Sequence, residues 1–204
     1  MNIIFIGAPG TGKGTLAAKI AAEHSFTHLA PGNMLRDEVK NTSQLGKKIK
    51  SLIESGTLVP DDIVNKLIEK NLKKNNIFDG YPRTLAQAEA LDKLVKVDSI
   101  ILFEMSEEQI VKRLSGRRTC PHCQAVYHTI TLKPKKENTC DKCGSQLTQR
   151  KDDSPDVVTH RFREFNEKTA PLIEFYKKRK ILHTIDGGKD VETVYQNIKK
   201  VLKL

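Results

Sequence analysis

The chain reads as an α/β protein in which a parallel sheet is covered by helices on both faces. Two observations lead there: short apolar runs of strand length recur along the chain, and longer stretches with an apolar residue every three or four positions separate them. Asn2 to Ile6 is the first buried strand, and Lys13 to Glu23 is a helix with Leu16, Ala17 and Ile20 on one side. A short strand is expected at Thr27 to Ala30. A helix whose Ile63, Leu67, Ile68 and Leu72 share a face, capped by Asp61 or Asp62, leads to a strand at Ile77 to Asp79. Then follow a helix from Thr84 to Val95, a strand from Ser99 to Phe103 and a helix from Glu107 to about Gly116. The C-terminal part repeats the rhythm: a long helix from Asp156 to Lys178, a strand from Ile181 to Ile185, a Gly187-Gly188 turn, and a helix bearing Val191, Val194, Ile198 and Val201.

Two stretches interrupt this alternation and read as insertions. Pro31 to Val59 is polar and helical with no strand of its own, and Arg117 to Asp153 loses helical periodicity and contains all four cysteines. With 204 residues and 38% hydrophobic content the chain can bury a substantial core, which excludes disorder and collagen. The longest apolar runs, Ile3 to Ile6 and Ile100 to Phe103, fall far short of the ~20 residues of a membrane span. Met1 leads straight into a strand with no basic or small-residue leader, so a cytoplasmic address is expected. The net charge of +10 implies anionic company, although lysine clusters such as Lys177, Lys178 and Lys180 read as solvated helix faces.

The first strand runs into Gly7-Ala8-Pro9-Gly10-Thr11-Gly12-Lys13-Gly14-Thr15, and a helix follows. This is G-x-x-x-x-G-K in a strand-loop-helix setting, a phosphate-binding loop. Its glycines let successive backbone N–H groups point at phosphate oxygens, the helix N-terminus adds partial positive charge, and Lys13 reaches the β and γ phosphates. Position 14 is Gly where a Ser or Thr usually offers a Mg²⁺ ligand, so Thr15 is the nearest hydroxyl. Downstream, Asp79-Gly80-Tyr81-Pro82-Arg83-Thr84 follows a strand, with Gln87 one turn into the next helix. Asp79 is placed to hold a metal-bound water, Arg83 offers a planar fork to a phosphate, and the Gln87 amide suits a base edge.

These two blocks, together with Pro31-Gly32-Asn33-Met34-Leu35-Arg36, Arg113, Gly116-Arg117-Arg118, Arg150-Lys151-Asp152-Asp153 and Arg161, make the whole chain resemble the adenylate kinases. The resemblance implies a P-loop NTPase core with a five-stranded parallel sheet (1–29, 60–116 and 154–204), a helical domain for the nucleoside monophosphate (30–59) and a zinc-binding lid (117–153). It implies reversible, Mg²⁺-dependent phosphoryl transfer from ATP to AMP, giving two ADP, by a monomer with no nucleic-acid or membrane partner. By the family pattern ATP is held by Gly10, Thr11, Gly12, Lys13, Gly14, Thr15, Arg113 and Arg117. AMP is held by Gly32, Arg36, Thr57, Val59, Gly80, Arg83, Gln87, Arg150 and Arg161, while Lys13, Arg117, Arg150 and Arg161 surround the transferred group. A loose phosphoryl transition state spreads charge over equatorial oxygens, so a ring of fixed cations is the apparatus such chemistry needs. The acceptor phosphate is already anionic and needs no general base, so His160 reads as a surface or packing residue. The chain departs from the family in carrying Pro31-Gly32-Asn33 where Thr-Gly-Asp is usual, which removes a hydroxyl, an N–H and a carboxylate near the acceptor.

Cys120, Cys123, Cys140 and Cys143 form C-x2-C-x16-C-x2-C, the spacing of a four-thiolate zinc site. Four protein ligands leave no open position, so the metal is expected to be structural. His122 and His128 lie within the insertion and offer substitute ligands, and redox or disulfide-bonded C-x-x-C pairs are the alternative. A rival within the class is a kinase for UMP or CMP, or one using GTP as donor. A rival outside it is a zinc-ribbon nucleic-acid-binding protein, against which stand an aromatic content of only 5% and no aromatic-basic stacking platform. No N-K-x-D-like block supports a GTPase.

Overall fold

The structure is a computed structural model that describes residues 1–40 and 44–204. Its centre is a five-stranded sheet of β1 (Asn2–Gly7), β2 (Thr27–Leu29), β3 (Asn76–Asp79), β4 (Ser99–Glu104) and β7 (Leu182–Asp186), in the order β2-β3-β1-β4-β7. All its pairings are parallel. Alternate residues of each strand feed opposite faces, and both faces are covered. Ile4, Ile6, Phe78, Ile100 and Leu102 join one buried cluster with Val64 and Ile68 of α4 (Asp61–Asn71), Ala88 and Leu91 of α5 (Leu85–Leu94) and Leu172 and Tyr176 of α8 (Pro171–Lys177). Ile3, Phe5, Ile77, Ile101 and Phe103 join the other, with Leu16, Ala17 and Ile20 of α1 (Lys13–His24) and Val194, Tyr195 and Ile198 of α9 (Val191–Leu202). The continuous apolar runs of β1 and β4 are thus explained: Ile3 to Ile6 and Ile100 to Phe103 are buried on both faces of the sheet.

The first insertion folds as α2 (Pro31–Lys40) and α3 (Gln44–Ser55); positions 41–43 of it lie outside the described residues. Pro31 occupies the first turn of α2, where a missing N–H has no helical partner to lose. After α6 (Glu107–Gly116) the second insertion begins with an antiparallel pair, β5 (Arg117–Thr119) and β6 (Val126–His128), and ends in a 3₁₀ turn at Lys151–Asp153. Its apolar interior is small: Cys120, Tyr127, Cys140 and Leu147, with Ala125 against them.

Two sequence expectations need correction. Neither Asp61 nor Asp62 caps α4; Pro60 stands at the cap position without a side-chain bond, and the Asp61 carboxylate is taken by α5 instead, where Thr84 Oγ1 and Gln87 Nε2 donate to it. The long helix near the C-terminus is divided into α7 (Pro155–Glu164), a π turn at Phe165–Thr169 and α8. Pro171 has no N–H to give, and the preceding turn widens so that Ala170 N–H reaches the Phe165 carbonyl at 2.8 Å. The widened turn sets Thr169 Oγ1 on the carbonyl of Arg83, 3.0 Å away.

Candidate active site

The phosphate-binding loop lies between β1 and α1, at the carboxyl edge of the central strand, where ligands of open parallel sheets bind. Gly12 caps α1 with φ +90°, a left-handed conformation open to glycine at little cost. Gly14 is short for another reason: a Cβ there would sit 2.9 Å from Asp79 Oδ2. The residue that replaces the usual hydroxyl therefore makes room for the carboxylate at the end of β3. Lys13 Nζ donates to Gly7 O at 2.6 Å, Ala8 O at 2.8 Å and Thr11 Oγ1 at 3.1 Å. Burial brings its ammonium down to about 7; Asp79 opposes that shift, and Arg83, Arg161 and Arg117 add to it. Asp79 accepts from His28 Nε2 at 3.1 Å; burial would raise its carboxyl, but His28, Lys13 and Arg83 outweigh that and hold it below the usual range.

Around this loop the fold gathers cations that the sequence scatters. Arg83 on the β3–α5 loop donates to Gly80 O at 2.8 Å, and Arg36 on α2 donates to Gly32 O at 2.6 Å and Asp152 Oδ2 at 3.2 Å. Arg117 makes a two-pronged contact with Asp153, its Nε 2.7 Å from Oδ2 and its Nη2 on Oδ1. Arg161 on α7 donates to the Asp152 carbonyl at 2.9 Å and lies 3.1 Å from Asp152 Oδ2 and 3.3 Å from Asp153 Oδ1. Arg150 donates to Thr119 Oγ1 at 3.1 Å. Burial lowers Arg150 to about 9 and Arg161 to about 10, values that report crowding of like charges as well as desolvation. Asp152 and Asp153, both buried, hold Arg36, Arg117 and Arg161 in place; burial pushes Asp152 up, but Arg161, Arg36, Arg150 and Arg117 prevail and keep it ionised. The sequence motif Arg150-Lys151-Asp152-Asp153 gives these aspartates no role of their own, and nothing local in the sequence singles out His28.

A small cleft of about 80 Å³ opens beside the arginines. Gly32, Arg36, Thr57, Val59, Gly80, Arg83, Gln87 and Arg161 line it, together with Pro31; Arg150 does not. Gln87 is 2% exposed and its amide is engaged at both ends, by Arg83 N–H and by Asp61. His160 is half-buried, with Nε2 in a hydrogen bond with Thr57 Oγ1 at 3.4 Å. Arg113 lies on the other side of the loop, 3.7 Å from where a Cβ of Gly12 would be, donating to the Gly188 and Lys189 carbonyls. The cysteine insertion reaches over to α2 and α3: Gln124 Nε2 donates to Asn33 O at 3.1 Å and Asp37 Oδ2 at 2.6 Å, and Lys151 pairs with Glu54 at 3.1 Å.

The four cysteine sulfurs lie within 4.8 Å of one another, with neighbours 3.4 to 3.6 Å apart. Those separations are too long for a disulfide and close to the ~3.8 Å between thiolates around one tetrahedral ion with ~2.3 Å bonds. Each C-x-x-C closes a tight turn, with Gln124 N–H on Cys120 O at 3.0 Å and Gly144 N–H on Cys140 O at 2.8 Å. Burial opposes ionisation of Cys140, but hydrogen bonds from Tyr127 and the Lys142 and Cys143 backbone outweigh it and lower the thiol. His122 is exposed, and His128 Nδ1 accepts from the Ile130 and Thr131 N–H groups, so neither joins the cluster.

Comparison with known proteins agrees with this geometry. The family model described as adenylate kinase matches residues 5–181. The adenylate kinase of Archaeoglobus fulgidus is 44% identical over 213 residues, covering all of this chain and 98% of that protein. That of Petrotoga mobilis is 44% identical over 210 residues, with the same coverage, and that of Kosmotoga olearia is 46% identical over 213 residues, covering all of this chain and 99% of its own. With a phosphate-binding loop at the sheet's carboxyl edge, six cations converging on it and full-length similarity to these phosphotransferases, the chain belongs to the adenylate kinase family.

Proposed function

We propose that the chain transfers the γ-phosphoryl group of Mg²⁺-bound ATP reversibly to AMP, giving two ADP, and so balances adenine nucleotides as a cytoplasmic monomer. The observation that carries this reading is the convergence of Lys13, Arg36, Arg83, Arg117, Arg150 and Arg161 at one mouth of the sheet, from segments spread over nearly 150 positions. In this reading Gly10 to Thr15, Arg113 and Arg117 hold ATP. Arg36 and Arg83 grip the acceptor phosphate within walls formed by Gly32, Thr57, Val59, Gly80 and Gln87. Lys13, Arg117, Arg150 and Arg161 meet the charge that builds on the moving phosphoryl group. Their positions are held before substrate arrives, by Asp152, Asp153, loop carbonyls and the Thr119 hydroxyl, and such preorganised charge stabilises a transition state without reorganising during the reaction. The attacking oxygen belongs to an ionised phosphate, so no side chain has to remove a proton.

Mg²⁺ on the donor phosphates supplies charge neutralisation; Asp79 and Thr15 are the residues of this chain suited to hold it, Asp79 through bound water. The four thiols fit a structural Zn²⁺, and the small apolar interior of the insertion supports that reading. Residues 117–153 then act as a rigid lid over the core (1–29, 60–116 and 154–204) and the acceptor domain (30–59), excluding water when closed. Full-length similarity to proteins named adenylate kinase favours AMP over other acceptors. A coupled assay on zinc-replete protein with ATP and a panel of AMP, GMP, CMP and UMP tests this. AMP should be turned over fastest, and a pyrimidine monophosphate turned over faster would overturn the acceptor assignment.

A further inference from the structure

The fold takes Asp61 out of its expected capping role and places it behind Gln87 of the cleft. Its Oδ2 accepts from Thr84 Oγ1 at 2.7 Å and its Oδ1 from Gln87 Nε2 at 2.6 Å. Thr84 Oγ1 also accepts from Gln87 N–H at 3.1 Å, which fixes the hydroxyl as a donor toward Asp61. At the other end of the Gln87 side chain, Oε1 accepts from Arg83 N–H at 2.8 Å. Turning the amide over would press Oε1 against the carboxylate and an N–H against the Arg83 N–H, so the two ends cannot exchange. Each end still has capacity, because a primary amide carries two N–H bonds and two oxygen lone pairs. Gln87 lines the acceptor cleft with a donor and an acceptor in an order set by Asp61 at one end and by the Arg83 N–H at the other.

We infer that Asp61 is a specificity-determining positioning residue: by locking the Gln87 amide, it makes the cleft select a 6-aminopurine monophosphate over a 6-oxopurine one. Adenine presents an acceptor at N1 beside a donor at N6, whereas hypoxanthine presents a donor at N1 beside an acceptor at O6. An amide free to turn over serves either order, and a locked one serves a single order; the other base then leaves polar groups facing like groups. The inference rests on the reading that Gln87 meets the acceptor base.

The test compares kcat/KM for AMP and for IMP at saturating ATP in the unmodified protein, Asp61→Asn, Asp61→Ala and Gln87→Ala. Asp61→Asn keeps the shape but presents either an oxygen or an N–H to Gln87, leaving the Arg83 N–H alone to hold the amide, so the AMP-to-IMP ratio should fall about three- to tenfold while the KM for ATP stays put. Asp61→Ala should move the ratio the same way and serves if the Asn variant melts early; calorimetric binding of AMP and IMP reads the same selectivity without turnover. An unchanged ratio in both Asp61 variants, with a fall in Gln87→Ala, would refute the lock while leaving Gln87 as the base reader. An unchanged ratio in Gln87→Ala would show the base is read elsewhere and end both ideas, with AMP turnover still standing as evidence for the reaction.

Discussion

ATP binding should take up a proton, and Lys13 is the reason. Burial sets its folded-state value near 7, against 10.5 when free, with Arg83, Arg161 and Arg117 repelling the charge and Asp79 attracting it. At pH 8 a group of that kind keeps its proton in about one molecule in eleven. A polyphosphate at Nζ restores the ammonium, so binding at pH 8 should take up about 0.9 protons, and affinity for ATP should weaken up to about tenfold per pH unit above 7. Arg150 near 9 and Arg161 near 10 remain mostly charged at pH 8 and add little. The linkage in the free protein runs the other way. Between 7 and 10.5 the unfolded chain holds a proton the folded chain has lost, so this residue's contribution to stability rises with pH across that window. Calorimetric titration with ATP, without acceptor, in buffers of different ionisation enthalpy gives the proton count directly from the slope. A slope near zero for the unmodified protein at pH 8, or an unchanged slope in Lys13→Met, would refute the argument.

Other perturbations separate the remaining roles. Chelation or Cys140→Ser should strip about one zinc per chain and lower the melting temperature, because a structural zinc contributes on the order of 10 kcal/mol to an insertion with little core of its own; an unchanged melt with no metal found would remove the zinc site. Arg83→Ala should raise the KM for AMP about ten- to a hundredfold, as expected on losing a charge-assisted phosphate contact, and leave that for ATP nearly unchanged; equal effects on both would misplace this residue. Gln124 and Gly144 occupy equivalent places in the two cysteine turns, with φ +60° and +74°. Gln124→Gly should relieve about 1 kcal/mol of backbone strain and hold or raise the melting temperature while cutting the link to Asn33 and Asp37; a clear drop would show that those hydrogen bonds outweigh the strain.

Strand runs, the phosphate-binding loop and the paired cysteine turns were legible in the sequence because each is a local pattern: a buried strand needs a short apolar run, a loop that wraps phosphate needs closely spaced glycines before a helix, and a tight turn puts two thiols on one ion. The identity of the arginines was legible too, through family resemblance, but their partners were not. Asp152 stood in a block that family resemblance picked out without giving it a role, and Asp61 looked like a helix cap. Their actual partners, Arg36 at 116 positions' separation and Gln87 at 26, are chosen by packing of the insertions and of α4 against α5. The π turn before Pro171, likewise, meets its partner only in the fold, where Thr169 Oγ1 donates to the Arg83 carbonyl 86 positions away. By itself the sequence determined the α/β frame, the phosphate-binding loop pattern and the spacing of the four cysteines, since these depend on neighbours along the chain. Only the tertiary structure decided which carboxylate holds which cation and which way a buried amide faces, since those energies depend on distances between segments that no local pattern encodes.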